Sequence, residues 1–396
     1  MNRSDVYIVG GGFAGVAAAR AVTREAPDAE VHVLDATGYA TMVPALPDIV
    51  SGRIRPEALR TPLSTVVGPA VSTRTATVTE IDLEARLLRT ATSEHRYDYL
   101  ILAHGSAPAF HGFRPEDGTI HGVHSFAAAR VFRSAVEAHL GSNPEAPVVI
   151  VGAGYTGLEV ASCLTLGARD AHWSPRIVVV EVADVVLPML SARERGRLLD
   201  YFASIGVDVR TETSVERYAD GVVELSDGSR LRDALLCWAA GMQAQPTPLH
   251  GTPDRARDGR LHTNAFLQLP SHPRTFAAGD AALIRKDGVA QRRAVNFSVY
   301  SGRRAGQNVA AALNGNALRA FRPVDLGWII PIGEQSVGRL AGRVPVFGRT
   351  GLRLHYAMCG FRQFTGGGAG EYYRTALRLG RRAAPLSTAK EAPDAL

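Results

Sequence analysis

The chain has 396 residues, too many for one hydrophobic core and suited to two or three domains. With 46% hydrophobic and 21% charged residues it has the composition of a folded globular protein, which excludes a disordered or fibrous one. The formal charge of +6 is carried almost wholly by arginine, Lys286 and Lys390 being the only lysines. Because the arginines are scattered and no helix, finger or RNA-binding motif gathers them, this charge argues for genome base composition and against a nucleic-acid partner.

No apolar run approaches the roughly 18–20 residues that span a bilayer. The first strand begins by Val6, which leaves no room for a leader peptide. Cys163, Cys237 and Cys359 lie far apart and form no C-x-x-C pair, which speaks for a reducing compartment and against a structural metal. These features together lead to the expectation of a cytoplasmic protein.

The chain opens on an apolar strand, Val6-Tyr7-Ile8-Val9, that runs into Gly10-Gly11-Gly12-Phe13-Ala14-Gly15 and then an Ala-rich helix. This is G-x-G-x-x-G: one glycine for the tight turn, one for close approach of a pyrophosphate, one for helix–strand packing. The next strand, Val31-His32-Val33-Leu34, ends in Asp35, 20 residues beyond Gly15. An acid at that point accepts hydrogen bonds from a ribose 2′-OH. A stretch rich in turns follows, with Pro44, Pro47, Pro56 and Pro62. Thr77–Ile81 and Tyr97–Ala103 read as strands, the second stopped by Gly105, and Ser125–Leu140 as an amphipathic crossing helix.

The pattern then repeats. Val148–Val151 leads into Gly152-Ala153-Gly154-Tyr155-Thr156-Gly157, and strand Ile177–Val180 ends in Glu181, 24 residues beyond Gly157. One such turn is weak evidence, but two complete strand–glycine–helix–strand–acid units point to two bound dinucleotides. Strand Ala234–Ala240 closes on Gly241, strand Thr275–Ala278 runs into Gly279-Asp280, and a helix covers about 293–313. From about Asp325 the text changes: a strand at Trp328–Pro331, a break at Gly366-Gly367-Gly368, and a basic tail.

The twin turns, Tyr97–Ser106, Trp238-Ala239-Ala240-Gly241 and Phe276–Asp280 occur in an order that resembles the two-dinucleotide-binding-domain flavoproteins, the pyridine nucleotide–disulfide oxidoreductase superfamily. The match spans about 5–315, with His104 where the superfamily has threonine. The resemblance implies an α/β fold of two Rossmann-like domains, the second inserted in the first, plus a small C-terminal domain. Its boundaries would be 1–115 and 251–325 for FAD, 116–250 for NAD(P)H, and 326–396 for the acceptor side and membrane or dimer contacts.

For the FAD site the resemblance implies Gly10, Gly12, Phe13, Ala14, Gly15, Asp35 at the adenosine ribose, Val78 at the adenine, Ala103, Gly105, Gly279, Asp280 at the ribityl chain, and Asn296. For the NADH site it implies Gly152, Gly154, Tyr155, Thr156, Gly157, Glu181 and Gly241, with NADPH disfavoured by Glu181. Tyr39–Leu46, where disulfide members carry C-x4-C, has no cysteine, so electrons would leave the flavin directly for a substrate.

The end of the chain (327–331, 351–356, 360–362) is similar, more loosely, to type II NADH dehydrogenases, which reduce a quinone on a membrane surface. Four residues are candidates for the chemistry. Tyr155 could gate the nicotinamide or simply cap the turn. Glu159 could orient the carboxamide, relay a proton, or be a surface glutamate. Asn296 and Tyr300 stand where that family has two quinone-side glutamines. The acceptor is then a quinone or quinone-like aromatic, with a soluble biosynthetic flavoenzyme and a non-turnover sensor as alternatives.

The three cysteines read as packing residues. Glu371–Leu379, with Tyr373, Ala376 and Leu377 on one face and Arg374, Arg378, Arg381 and Arg382 nearby, could lie on an anionic membrane or pack in a homodimer, before Gly380 and Pro385 end it.

Overall fold

In the computed structural model, which describes residues 3–116, 119–364 and 366–379, the two glycine-rich turns open two units built on one plan. The helices are labelled α1 (Phe13–Glu25), α2 (Asp48–Ser51), α3 (Leu63–Val67), α4 (Phe126–Ser142), α5 (Tyr155–Asp170), α6 (Ala192–Ser204), α7 (Val295–Leu313), α8 (Gly348–Arg362) and α9 (Gly366–Arg378).

In the first unit, strand Asp5–Val9 lies between Glu30–Asp35 and Tyr99–Leu102, all parallel, with Val71–Thr75 and His272–Ala277 outside them. Val6 and Ile8 face the core under α1, and Tyr7 and Val9 face a second core on the other side of the sheet. A strand covered on both faces needs a continuous apolar run, which is what the sequence has there. The second unit repeats this arrangement. Val207–Arg210, Arg176–Val180, Pro147–Val151 and Leu235–Trp238 form a parallel sheet in that order. Val148 and Ile150 face one core, Val149 and Val151 the other. Each unit also carries a three-stranded antiparallel meander, 78–96 in the first and 215–231 in the second.

The second unit is inserted in the first. Strand His272–Ala277, which follows it, pairs with Tyr99–Leu102, which precedes it. The chain crosses between units through Ser106–Pro108 and Met242–Ala244, which pair antiparallel. A third body closes the chain: the antiparallel strands Gly327–Ile332, Gln335–Leu340 and Val344–Phe347, then α8 and α9.

Three expectations change. The proline-rich stretch after Asp35 is not merely turns: α2, two 3-10 turns and a short strand pair bury Met42, Leu46, Ile49, Ile54 and Leu59 in a core shared with α5 and α8. Gly366-Gly367-Gly368 is not a break, because α9 begins there. Low glycine propensity is overridden by tertiary contact, with Tyr372, Thr375 and Ala376 buried and Glu371 bridged to Arg55 at 2.7 Å. Ala376 consequently belongs to the buried face, while Tyr373 and Leu377 alone of the expected trio are exposed. Gly380, Arg381, Arg382 and Pro385 lie outside the described residues.

Helix α7 is held against α1 almost backbone to backbone. A Cβ on Gly302 would run into the carbonyl oxygen of Ala14, and one on Gly306 into that of Ala18. This contact brings the N-terminus of α7 beside the first glycine turn. Substituting Gly302→Val should therefore cost about 1–3 kcal/mol through overpacking, read as a lower midpoint in urea unfolding with an unchanged slope.

Candidate active site

The two glycine turns have the same geometry. Gly10 and Gly152 take φ of +103° and +100°, a region where a side chain is strained. A Cβ on Gly10 would also meet the end of the neighbouring strand at Ala103 and His104, and one on Gly152 would meet Ala239 and Ala240. A Cβ on Gly15 would collide with the carbonyl of Gly10, and one on Gly157 with that of Gly152. Gly12 and Gly154 differ from these: a Cβ on either meets nothing within 4 Å. Glycine at these two positions keeps open the space in front of α1 and α5, and both helices present their first-turn amides to that space.

Both acids hold their turn in shape. Gly11 N–H donates to Asp35 Oδ2 at 2.8 Å, and Ala153 N–H donates to Glu181 Oε2 at 2.9 Å. The other oxygen of each takes a local backbone N–H, from Gly38 at 2.9 Å and from Ala183 at 3.1 Å. Each carboxylate is thus fixed at the rim of its cradle. Val78 begins the meander just beyond Ala76, whose N–H donates to the Asp35 carbonyl at 2.9 Å. Gly105 and Gly241 occupy equivalent turns, with φ of +77° and +104° after the strands that flank the two cradles.

Helix capping varies along the chain, and α3 and α8 carry no side-chain cap. Ser125 caps α4 and Ser191 caps α6 in a full capping box, so those ends are satisfied internally. The N-caps of α1, α5 and α7 are Gly12, Gly154 and Ala294, none with a side-chain acceptor, and no first turn among them carries an acid. Their free amides and positive dipole ends suit phosphates and developing negative charge.

At the other end of the first cradle, Gly279 stands against Ala14 with φ +64°, and its N–H donates to the Ser301 hydroxyl at 2.9 Å. Asp280 follows, accepting from the Ser106 hydroxyl at 2.9 Å, and burial pushes its carboxyl above the usual range. Arg260, Arg292, Arg293 and Phe297 line the same hollow. Arg260 and Arg293 pair with Asp258 at 2.7 and 3.1 Å, and Arg292 pairs with Asp325 at 2.6 Å. These arginines were not singled out from the sequence, where nothing distinguishes them from the others. His104 is likewise notable, since burial pushes its imidazole down to about 4 and both ring nitrogens are buried without a partner.

The four candidate catalytic residues lie in two pairs, Tyr155 and Glu159 on α5 and Asn296 and Tyr300 on α7. Asn296 lies in the first turn of α7, but its amide nitrogen donates to the carbonyl of Val324 at 2.8 Å. Tyr300, one turn on, takes a 3.2 Å hydrogen bond from Arg362 of α8, whose guanidinium also lies 5.4 Å from its ring centre. Tyr155 packs on Trp328 with ring centres 4.9 Å apart. Phe13, its counterpart in the first turn, packs on Phe364 at 4.8 Å. Glu159 is partly buried on α5, and burial first, Asp48 second, hold its carboxyl well above the usual range. The cysteines are free and buried, and Cys359 Sγ lies 3.5 Å from His355 Nε2. Asp5, Glu30 and His32 gather at the opposite end of the strands, where a 3.1 Å His32–Asp5 hydrogen bond accounts for two of them.

Comparison with known proteins agrees with this geometry. The model of the family described as pyridine nucleotide-disulphide oxidoreductase matches residues 4–311. A NADH dehydrogenase-like protein of Mycobacterium tuberculosis is 34% identical over 354 residues, covering 83% of this chain and 84% of the relative. A type II NADH:quinone oxidoreductase of Staphylococcus haemolyticus is 24% identical over 368 residues, covering 86% and 91%. Among solved structures, NDH2 from Plasmodium falciparum in complex with NADH superposes with a TM-score of 0.83 at 14% identity, covering 97% of this chain and 99% of that one. At that identity it bears on the fold alone.

The open space at Gly12 gives a test that separates folding from binding. Gly12→Ala should leave apoprotein unfolding close to that of the parent, since the new Cβ meets no protein atom within 4 Å. The purified variant should nevertheless lose flavin absorbance, because the added methyl enters the open space in front of α1.

Proposed function

The chain belongs to the pyridine nucleotide-disulphide oxidoreductase family, and from that premise we propose that it is an FAD-dependent dehydrogenase that takes a hydride from NADH and passes two electrons to a quinone or quinone-like acceptor. The observation that carries this reading is the pair of open glycine cradles, each rimmed by an anchored acid, with uncapped α7 beside the first. The curated relatives bearing the names NADH dehydrogenase-like protein and type II NADH:quinone oxidoreductase support it.

The residues fit FAD in the first cradle. Asp35 would take the adenosine ribose, the amides of α1 the pyrophosphate, and Asp280 the ribityl chain. When bound, FAD supplies the two-electron chemistry that no side chain here can perform. The protein's part is position and electrostatics. Nicotinamide C4 has to come within about 3–3.5 Å of its target with the rings stacked, and the second cradle, with Tyr155 as a movable cover, sets that approach. Glu181 keeps a fixed negative charge at the ribose, which suits a 2′-OH and repels a 2′-phosphate. The free amides of α7 would stabilise negative charge developing on a flavin held in the first cradle. Tyr39–Leu46 contains no cysteine, so no dithiol stands between cofactor and acceptor. Asn296, Tyr300 and Glu159 border the acceptor side in this reading, and Glu159 brings a proton to it. We take 1–115 with 251–325, 116–250 and 326–396 as the FAD, NADH and acceptor-side domains.

No helix among the described residues is long and apolar enough to cross a membrane. On α8 and α9, however, Phe361 and Leu377 are 76% and 71% exposed, with Met358 and Tyr373 beside them. Gly360 allows the Tyr373 ring to lie against α8. Arg353, Arg362, Arg374 and Arg378 share these two helices, so an apolar surface mixed with cations supports peripheral docking on an anionic membrane.

Anaerobic addition of NADH should bleach the flavin band, and a quinone should restore it faster than oxygen does. A flavin that stays oxidised under NADH would overturn the proposal. Within it, Glu181→Ala should raise KM for NADH roughly tenfold, the worth of a lost hydrogen bond to a charged group, with kcat little changed. An unchanged KM would remove Glu181 from the site.

A further inference from the structure

Arg60 differs from the arginines nearest to it in the chain. Arg53 donates to the Tyr356 hydroxyl at 2.9 Å and to the Gly333 carbonyl at 2.6 Å, and Arg55 pairs with Glu371 at 2.7 Å. Arg60 has neither an ion pair nor a hydrogen bond among the described residues. Aromatic rings hold it instead. Strand Arg60–Pro62 pairs antiparallel with Tyr39–Thr41, and Arg60 stands opposite Thr41, so Tyr39 is its diagonal neighbour on one face. The guanidinium carbon lies 3.7 Å from the centre of the Tyr39 ring and 4.5 Å from that of Phe126, the first residue of α4.

Arg130, one turn along α4 from Phe126, brings a second guanidinium to 6.0 Å from the centre of the same ring. It too has no ion pair or hydrogen bond among the described residues. Arg133, three residues further on, shows the contrast. It pairs with Glu137 at 2.7 Å and donates to the Ile49 carbonyl at 3.0 Å, which seats α4 on α2.

The five N–H donors of a guanidinium lie in its plane, so rings stacked on its faces use none of them. Arg60 is partly buried, which strips some of the water from its charge, and no carboxylate stands in for that water. Its orientation is set by the two rings before any ligand arrives, so little side-chain entropy remains to be lost on binding. Arg130 is exposed and long enough to close on the same ligand. A fork of fixed donors with a second cation beside it matches the oxygens of a phosphate or a carboxylate.

We propose that Arg60, clamped by Tyr39 and Phe126, forms with Arg130 a binding site for a small oxyanion, the phosphate or carboxylate group of a metabolite. The site uses none of the residues of the two cradles. Tyr39 and Arg60 belong to the first unit, whereas Phe126 and Arg130 belong to the helix that leads into the second, so an anion held there bridges the units.

The test is calorimetric titration of the FAD-loaded protein with inorganic phosphate and, separately, with benzoate, at constant ionic strength. Charge-assisted contacts to two guanidiniums predict saturable binding with Kd on the order of 1 mM for at least one probe, and the probe that binds names the group. Arg60→Gln should weaken that binding about tenfold and Arg130→Gln about fivefold, with flavin content unchanged in both. Tyr39→Leu, which keeps both guanidiniums and removes one clamp, should weaken it roughly threefold. Absence of saturation with both probes overturns the site. An unmoved Kd in folded Arg60→Gln or Arg130→Gln does so as well, since the anion then sits elsewhere, the second cradle included. Loss of flavin from purified Arg60→Gln also overturns it, because Arg60 would then serve the FAD site.

Discussion

The first turns of α1, α5 and α7 leave their N–H groups without side-chain acceptors. A helix end left like this carries a desolvation cost unless water or a ligand completes it. Much else in the chain accommodates that constraint. Glycines at 10, 15, 152 and 157 let strand, turn and helix approach to distances no side chain would permit. Asp35 and Glu181 then use one oxygen to fix the turn amide, which holds each carboxylate at the rim with a defined orientation. The cradles are pre-organised, so a ligand's binding energy is not spent on ordering the loop.

The third body of the chain couples the two cradles. The residue after the second glycine in each turn is aromatic, and each ring is taken up by an aromatic of the C-terminal segment, Phe13 by Phe364 and Tyr155 by Trp328. Arg362 reaches from α8 to Tyr300 on α7. One small domain therefore touches both glycine turns and α7. Movement of Tyr155 would be felt at Trp328, on the strand whose neighbour Ile329 holds His355 through its carbonyl at 3.1 Å.

The parts legible in the sequence are those where sterics admit few residues. A turn that needs φ near +100°, or a carbonyl in the place of a Cβ, leaves glycine as the choice, and two such sets at matching spacing expose both Rossmann-like units. Continuous Val/Ile runs revealed the doubly covered strands in the same way. The segment from 39 to 62 could not be read like this, because its order comes from partners far away: Asp48 and Tyr356 are 308 positions apart. Local propensity also misleads at Gly366, where burial of Tyr372 outweighs the reluctance of glycine to enter a helix. Arginines 260, 292 and 293 gain meaning only when folding gathers them around Asp280.

The Arg53–Tyr356–Asp48 set is a poor way to stabilise a core. Desolvating a guanidinium and a carboxylate generally costs as much as their attraction returns, and well-packed apolar side chains of similar volume do as well or better. At 4.0 Å the direct ion pair is long, and the hydroxyl between the charges does much of the joining. Such an arrangement makes more sense as a means of setting charge than of gaining stability. Burial raises the Asp48 carboxyl against the opposing pull of Arg53 and Tyr356, in a place where charge–charge interactions are strong for want of water. Burial first and Asp48 second raise the Glu159 carboxyl well above the usual range. The three segments carrying the set come from α2 and the residues just after it, from α8, and from the loop at Gly333. The Arg53–Tyr356–Asp48 set thus depends on the C-terminal body being docked, the same body that supplies Trp328 to Tyr155 and Arg362 to Tyr300.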